Sequence, residues 1–423
     1  MIRSLAFRVL LALALGLLAG AALQAWGGPS LKAVAEVVEA LGGLWLNALR
    51  MTIVPLVFAL LVLGVAQVSD AAATGRLAAV ALGIFAVLLV AVSIYAILAT
   101  QGLLALWPVD PAAATALKAG AQAPEAAAAR ATGVGDFLRS LAPANPLKAA
   151  VEDAILPLVV FGAFFGFAAT RLPDELKVPL LTLMRAISET MLVIVRWVLW
   201  AAPVGVFALS LSVGLRTGLG GAGALVQYVV IISVVTAGVT LLLFALVAAS
   251  RAAPLGRFVR ASGPVLAVAF STQSSLASLP AMLERCRDIL GVPDRVSGLI
   301  LPLAVAVFRV TSPVANLAVA LFVASLYGVE PGLAQLAAAV LVAFAVSISS
   351  VGLPGQVSFF ASVAPICLAL GAPLDLLPIL LAVEVVPDIF RTLGNVTGDM
   401  AVTSWLARKE LPDKAPADEA APS

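Results

Sequence analysis

Histidine is absent from the 423 residues, and cysteine occurs only twice, as Cys286 and Cys367. The missing histidine excludes imidazole metal sites, Ser-His triads and imidazole proton relays. Two cysteines this far apart support neither a disulfide framework nor a zinc site. Charge is scarce as well: Asp, Glu, Lys and Arg make up 11% of the chain, against roughly 25% in a soluble domain. The 25 basic and 23 acidic residues leave a net charge of +2, too little to draw a nucleic acid. What the chain has instead is apolar surface. Hydrophobic residues make up 62% of it, and the mean hydropathy is +1.12, more than a water-soluble core of this size could hide. The sequence predicts an all-α polytopic membrane protein embedded in a lipid bilayer.

A spanning helix needs ~20 mainly apolar residues. That rule predicts eight transmembrane helices near 5–26, 36–68, 78–107, 152–170, 180–214, 223–249, 295–326 and 375–406. The first run follows Arg3 and Arg8 and ends near an Ala-Leu-Gln-Ala stretch that imitates a cleavage site, yet the rest of the chain is equally apolar, so it reads as a retained span. An Ala-rich, mixed-charge stretch from Pro108 to about Lys148 reads as a water-exposed loop with one short helix. Alternating spans put Arg76, Arg171, Arg251, Arg257, Arg285 and Arg408 on one side, which the positive-inside rule makes cytoplasmic, with both termini there and the cell (inner) membrane as the location.

Two apolar segments do not read as ordinary spans. Residues 254 to 287 are broken by Ser271, Thr272, Gln273, Ser274, Ser275 and Ser278, then Pro280. Residues 333 to 370 repeat the design, with Ser347, Ser349 and Ser350 before Gly352-Leu353-Pro354-Gly355. Non-helical backbone at membrane depth survives only where protein or a water-filled cavity satisfies it. Two re-entrant helical hairpins of opposite entry form the interrupted, inverted repeat that points to a transporter binding site near the midplane.

The last span carries Glu384, Asp388, Arg391, Thr392, Asn395 and Asp399 in an otherwise apolar run. At about 100° and 1.5 Å per residue they fall in an arc roughly 100° wide over about 22 Å. Charges at membrane depth nearly always serve an ion, a substrate or a proton. An Arg offers a planar fork to a side-chain carboxylate, an Asp accepts from an α-ammonium group, and an Asn with backbone donors holds an α-carboxylate. A dicarboxylate without an amine would leave Asp388 unpaired. Glu384, one turn from Asp388 on the same face, is the candidate proton carrier.

The run Asp388-Ile-Phe-Arg-Thr-Leu-Gly-Asn-Val-Thr-Gly-Asp399 resembles the last-helix signature of the dicarboxylate/amino acid:cation symporter family, the glutamate and aspartate transporters. Similar family pieces are Pro143-Ala-Asn-Pro146, Ala202-Pro-Val-Gly-Val-Phe207, the Ser-rich tip ending at Leu279-Pro280, and Gly352 to Gly355. The resemblance implies the elevator-type glutamate transporter fold in a homotrimer. Scaffold helices would fall in 1–74 and 151–220, a transport domain in 75–107 and 221–410, an extracytoplasmic loop in 108–150 and a disordered cytoplasmic tail in 411–423.

By position, the resemblance implies that Asp388 holds the amino group, Arg391 the side-chain carboxylate with Ser312 and Thr392 nearby, and Asn395 the α-carboxylate. Ser274 and Ser275 would line the site, and Gly352, Pro354 and Gly355 would form the gate. The chain departs from the family where Phe308-Arg-Val-Thr-Ser312 replaces Asn-Met-Asp-Gly-Thr. Arg309 and Asp399 therefore mark a cation site or its replacement. Gln273 stands where many prokaryotic members have Arg, and span three lacks the expected polar residues around Leu88 to Ser93. The expected function is secondary active transport of aspartate or glutamate, with sodium or proton as the coupling ion, no cofactor, and sodium coupling lost or altered. A coupled C4-dicarboxylate symporter is the alternative. A channel would need a continuous polar pore, and an enzyme a nucleophile with a base or a metal.

Overall fold

The computed structural model describes residues 5–26, 28–73, 75–119, 143–152, 154–217, 222–349 and 355–410. Gly352, Pro354, the tail 411–423 and most of the 108–150 loop lie outside them. Every regular element among the described residues is a helix. In chain order these are α1 (Leu5–Trp26), α2 (Pro29–Arg50), α3 (Ile53–Ala73), α4 (Arg76–Leu106), α5 (Pro111–Ala119), α6 (Pro146–Val151), α7 (Ile155–Ala169), α8 (Asp174–Trp200) and α9 (Ala202–Thr217). There follow α10 (Ala222–Ser250), α11 (Leu255–Thr272), α12 (Ser275–Asp288), α13 (Asp294–Val307), α14 (Thr311–Leu326), α15 (Leu333–Ser349), α16 (Gly355–Leu370), α17 (Leu377–Val383) and α18 (Val385–Glu410). Five stretches among the described residues are long and apolar enough to cross a membrane: Val37–Ala72, Arg76–Leu106, Asp174–Trp200, Ala222–Ser250 and Asp294–Leu326.

Four runs expected as continuous helices, 36–68, 180–214, 295–326 and 375–406, are each interrupted, at 51–52, 201, 308–310 and 384. One rule accounts for all four. Pro55, Pro203, Pro313 and Pro387 each stand in the first turn of the helix that follows the break. A proline has no N–H for the carbonyl four residues back, and its ring crowds that carbonyl. In the first turn its missing donor costs nothing, because those N–H groups have no intrahelical partner anyway. At the third break the Arg309 carbonyl, four residues before Pro313, accepts instead from Ser312 N at 2.8 Å.

Two sets of helices emerge from the packing. In the first, α1 lies along α9, α9 also meets α2, and α3 packs on α7 and α8. The α1–α9 contact is backbone against backbone. A Cβ at Gly16 would come within 2.7 Å of the Phe207 carbonyl oxygen, one at Gly20 within 2.2 Å of the Leu211 carbonyl oxygen, and one at Gly214 within 2.3 Å of the Leu17 carbonyl oxygen. Gly16 and Gly20 face Ser210 and Gly214, small residues four apart on each helix, the spacing that lets membrane helices approach closely. Trp45 Nε1 donates to the Val198 carbonyl at 2.7 Å, and Gly205 leaves room for its ring.

In the second set, α18 is surrounded by α10, α11, α12, α13 and α14. The middle of this set is α14, where Thr311 to Ala324 are all buried. Helices α11 and α12 form the first hairpin around Gln273 and Ser274. Gln273 takes φ +50°, a left-handed helix end, and the Ser274 hydroxyl accepts from Ala277 N at 3.2 Å to cap the returning helix. Helices α15 and α16 pack on each other and on α14. The segment expected as a water-exposed loop contributes α5, which buries Ala113, Ala114 and Leu117 against α9 and α10.

The glycine seam yields a stability test. Gly20→Ala drives a methyl into backbone atoms of α9 and is expected to cost about 1–3 kcal/mol. Gly102→Ala, with nothing within 4 Å of its new methyl, should be neutral or gain up to about 1 kcal/mol from helix propensity. Thermal unfolding in detergent checks both, and equal melting temperatures for the two variants would contradict the seam.

Candidate functional site

The polar residues of α18 are buried in the interior of the second helix set. Asp388, Arg391, Thr392, Asn395 and Asp399 are all at most 8% exposed, and Glu384, in the break before α18, is 1% exposed. Two glycines make this possible. Gly394 leaves space for the methyl of Thr311, and Gly398 for Val310. The non-helical residues 308–310 thereby press directly against α18.

Arg391 is the hub. Its Nη2 lies 2.6 Å from Glu384 Oε1, and its Nη1 donates to Asn316 Oδ1 at 3.0 Å. The contact with Glu384 is ionic rather than a directed hydrogen bond, since no N–H of Nη2 points along the line to that oxygen. Glu384 Oε2 accepts from the Tyr228 hydroxyl at 2.5 Å, and Asn316 Nδ2 donates to Ser312 Oγ at 3.3 Å. A chain of buried polar groups therefore runs Tyr228, Glu384, Arg391, Asn316, Ser312. Asp388, at i, i+3 from Arg391, is not the ion-pair partner. Among the described residues Arg391 Nε has no hydrogen-bond partner.

Asn395 is held by the helix start opposite it. Its Oδ1 accepts from Thr311 N at 2.9 Å and lies 2.8 Å from the Thr311 hydroxyl, whose one proton is shared with the Arg391 carbonyl at 2.7 Å. An orphan N–H at a helix N-terminus is thus satisfied by a side-chain amide. The backbone donor fixes the amide orientation, because only the oxygen can accept from it. The Asn395 Nδ2 donors are left pointing away from Thr311.

The remaining expected residues lie as follows. The Thr392 hydroxyl donates to the Asp388 carbonyl at 3.0 Å. Ser274 and Ser275 sit half-buried at the tip of the first hairpin, and the Ser274 hydroxyl is engaged within that hairpin. Gly355 opens α16. Arg309 lies in the break, within electrostatic reach of Asp388, Arg391 and Asp399.

The profile of the sodium:dicarboxylate symporter family matches residues 5–409. The chain belongs to the sodium:dicarboxylate symporter family. It is similar to the proton/glutamate-aspartate symporter of Escherichia coli K12, 28% identical over 409 residues that cover 96% of this chain and 93% of that protein. It is also similar to the proton/sodium-glutamate symport protein of Geobacillus stearothermophilus, 26% identical over 416 residues that cover 96% of this chain and 94% of that one. Human neutral amino acid transporter A is 31% identical over 260 residues, 60% of this chain and 48% of that protein. This family member is accordingly a membrane transporter and not an enzyme.

Three residues of the site escaped sequence reasoning: Tyr228, Thr311 and Asn316. Each left a trace. Tyr228 is one of three tyrosines in the chain and interrupts an apolar helix. Asn316 falls four residues after Ser312, one turn along the same face. Thr311 starts the helix that Pro313 forces.

The Tyr228–Glu384 bond can be tested by a double-mutant cycle. Tyr228→Phe removes a buried bond to a charged acceptor and should cost this symporter about 1.5–3 kcal/mol. The same change made in Glu384→Gln should cost clearly less, a coupling of about 0.5–3 kcal/mol. Thermal unfolding of the four proteins measures it; additive losses would remove the bond from the chain of polar groups.

Proposed function

We propose that this symporter-family protein is a secondary active transporter of acidic amino acids, L-aspartate and L-glutamate. The observation that carries the reading is that Asp388 and Arg391 lie one turn apart, both buried, without forming an ion pair with each other. An anion and a cation held apart at membrane depth suit a ligand that carries both charges. The α-ammonium group would go to Asp388, the side-chain carboxylate to Arg391, and the α-carboxylate to Asn395. With its oxygen engaged by Thr311, Asn395 has only donors to offer, and donors are what a carboxylate takes. The names of the Escherichia coli and Geobacillus relatives support the same substrates. Ser312, Thr392 and the hairpin tip with Ser274 and Ser275 would complete the site, with Gly352, Pro354 and Gly355 as the outer gate.

Transport would follow an elevator movement within a homotrimer of eight spans and two re-entrant hairpins, in the cell (inner) membrane with both termini cytoplasmic. The two packing sets support this division. The glycine seam ties α1 to α9 in a scaffold drawn from 1–74 and 151–220, and helices from 75–107 and 221–410 gather around α18 as the moving part. A second reading, a C4-dicarboxylate carrier, is favoured by the family's description.

Two expectations follow from the site. Arg391→Cys should lose at least about a hundredfold in affinity for aspartate, as a charged bidentate partner disappears, while Asp388→Asn should weaken aspartate more than succinate. Calorimetry on the purified protein checks both, and wild-type binding of succinate as tight as that of aspartate would favour the dicarboxylate reading. Glu384 is the proposed proton carrier, because it links the buried tyrosine to the substrate-facing arginine. Glu384→Gln should abolish uptake driven by a pH gradient in liposomes while leaving exchange of internal for external aspartate intact; retained gradient-driven uptake would free Glu384 from that role.

A further inference from the structure

Asp399 poses a question that the substrate site does not answer. It is 1% exposed, eight residues beyond Arg391, and neither carboxylate oxygen has a hydrogen-bond partner among the described residues. A buried carboxylate in this state needs a cation or a proton, and the family's description points to sodium. The surroundings do not suit sodium. A hard cation is held by several oxygen atoms at once. Around Gly398, next to Asp399, the atoms that a Cβ would meet belong to Val310, Phe308 and Leu243, at 2.8, 3.4 and 3.5 Å. The Cys286 thiol is also within electrostatic reach of Asp399. In the facing break, the carbonyls of Phe308 and Arg309 each have one of their two acceptor sites engaged, by Val310 N at 3.0 Å and Ser312 N at 2.8 Å.

The break also carries a cation of its own. Phe308 is fully buried and stacks on Phe85 with ring centroids 4.4 Å apart, and Val310 is fully buried against Gly398. Arg309 stands between two such anchors, so its backbone is fixed. It also follows the C-terminal end of α13, where the helix dipole favours positive charge. Asp388 and Asp399 are both within its electrostatic reach, and Asp399 is the one whose oxygens lack a hydrogen-bond partner among the described residues.

We propose that the Arg309 guanidinium is a built-in countercation for Asp399, occupying the electrostatic place of a sodium ion, so that this carboxylate binds no exchangeable sodium. A covalently attached cation cannot be released on either side of a membrane. For the transport reading above, on which this consequence rests, it means that no sodium gradient is harvested through Asp399. The strength of the exclusion follows from Coulomb's law: a guanidinium ~4 Å from a would-be sodium, at an effective dielectric near 20, lowers its affinity roughly a thousandfold.

The experiment measures sodium itself and does not depend on the substrate. Purified wild type, Arg309→Met, Asp399→Asn and the double variant are melted across a sodium series, with choline holding ionic strength constant. Wild type should melt at one temperature throughout. Arg309→Met should gain a sodium-dependent rise of a few degrees, and the added Asp399→Asn should abolish it. Should Arg309→Met prove too unstable to purify, the comparison without sodium decides. Removing both charges should restore much of the stability that Arg309→Met loses, because that single variant leaves the Asp399 carboxylate without its countercation. The inference is overturned by a sodium-dependent rise in wild type that Asp399→Asn removes, by a purified Arg309→Met that gains no rise, or by a double variant no more stable than the worse single one. In a parallel arm, L-aspartate affinity of wild type should change less than twofold across the series. Failure to bind L-aspartate or L-glutamate at any sodium concentration would refute the substrate reading and leave the melting result to judge Arg309 alone.

Discussion

A guanidinium inside an apolar bundle cannot shed its charge and has little access to water, so Arg391 must be held by the polar groups that neighbouring segments bring to it. It requires an anion, which Glu384 supplies from the break before α18. That anion requires a donor in turn, supplied by Tyr228 from α10. A second edge of the guanidinium requires an acceptor, Asn316, whose own amide donates one hydrogen bond to Ser312 on the same helix. Three helices and the break before α18 are tied together through one side chain. Removing any partner leaves a buried charge or dipole unmet, a larger loss than the bond is worth while it is made.

Such an arrangement works only if helix backbones come close enough for short polar side chains to touch, and glycine provides that closeness twice. Gly394 and Gly398 admit the broken segment 308–311 against α18, bringing Thr311 within hydrogen-bond distance of Asn395. Gly16, Gly20 and Gly214 bring α1 onto α9 along a seam of small residues. The same spacing therefore serves a polar site in one place and a purely mechanical seam in the other. In a lipid environment, where apolar side chains gain little by turning inward, close van der Waals packing carries much of helix association.

The composition made the helical, membrane-embedded character legible, and the charges of α18 were legible because an apolar run has nowhere to hide them. Pairing was not. Nothing in the run of α18 names a protein anion for Arg391, and the proline-forced break at 384 delivers Glu384 to it. Tyr228 is 156 positions from its acceptor and Asn316 is 75 from its donor, and helical periodicity says nothing about contacts across such distances. The interruptions were present in the sequence as prolines. A proline in the first turn of a helix barely lowers the hydropathy of the run around it, so four pairs of helices read as four long spans, bent or tilted to fit.

Those prolines also set the local balance between donors and acceptors. An ordinary helix break frees four carbonyls on one side and four amide protons on the other, which could in principle satisfy each other or the same solvent. Here one of the four amide positions at each break is a proline, so every interruption holds one acceptor more than it has donors. The imbalance has a sign. Each break is slightly electronegative by construction and calls for a proton or a positive group from a side chain. At 308–311 the Arg309 guanidinium and the Thr311 hydroxyl are the groups at hand, and the three breaks elsewhere in the chain pose the same requirement wherever water does not reach them.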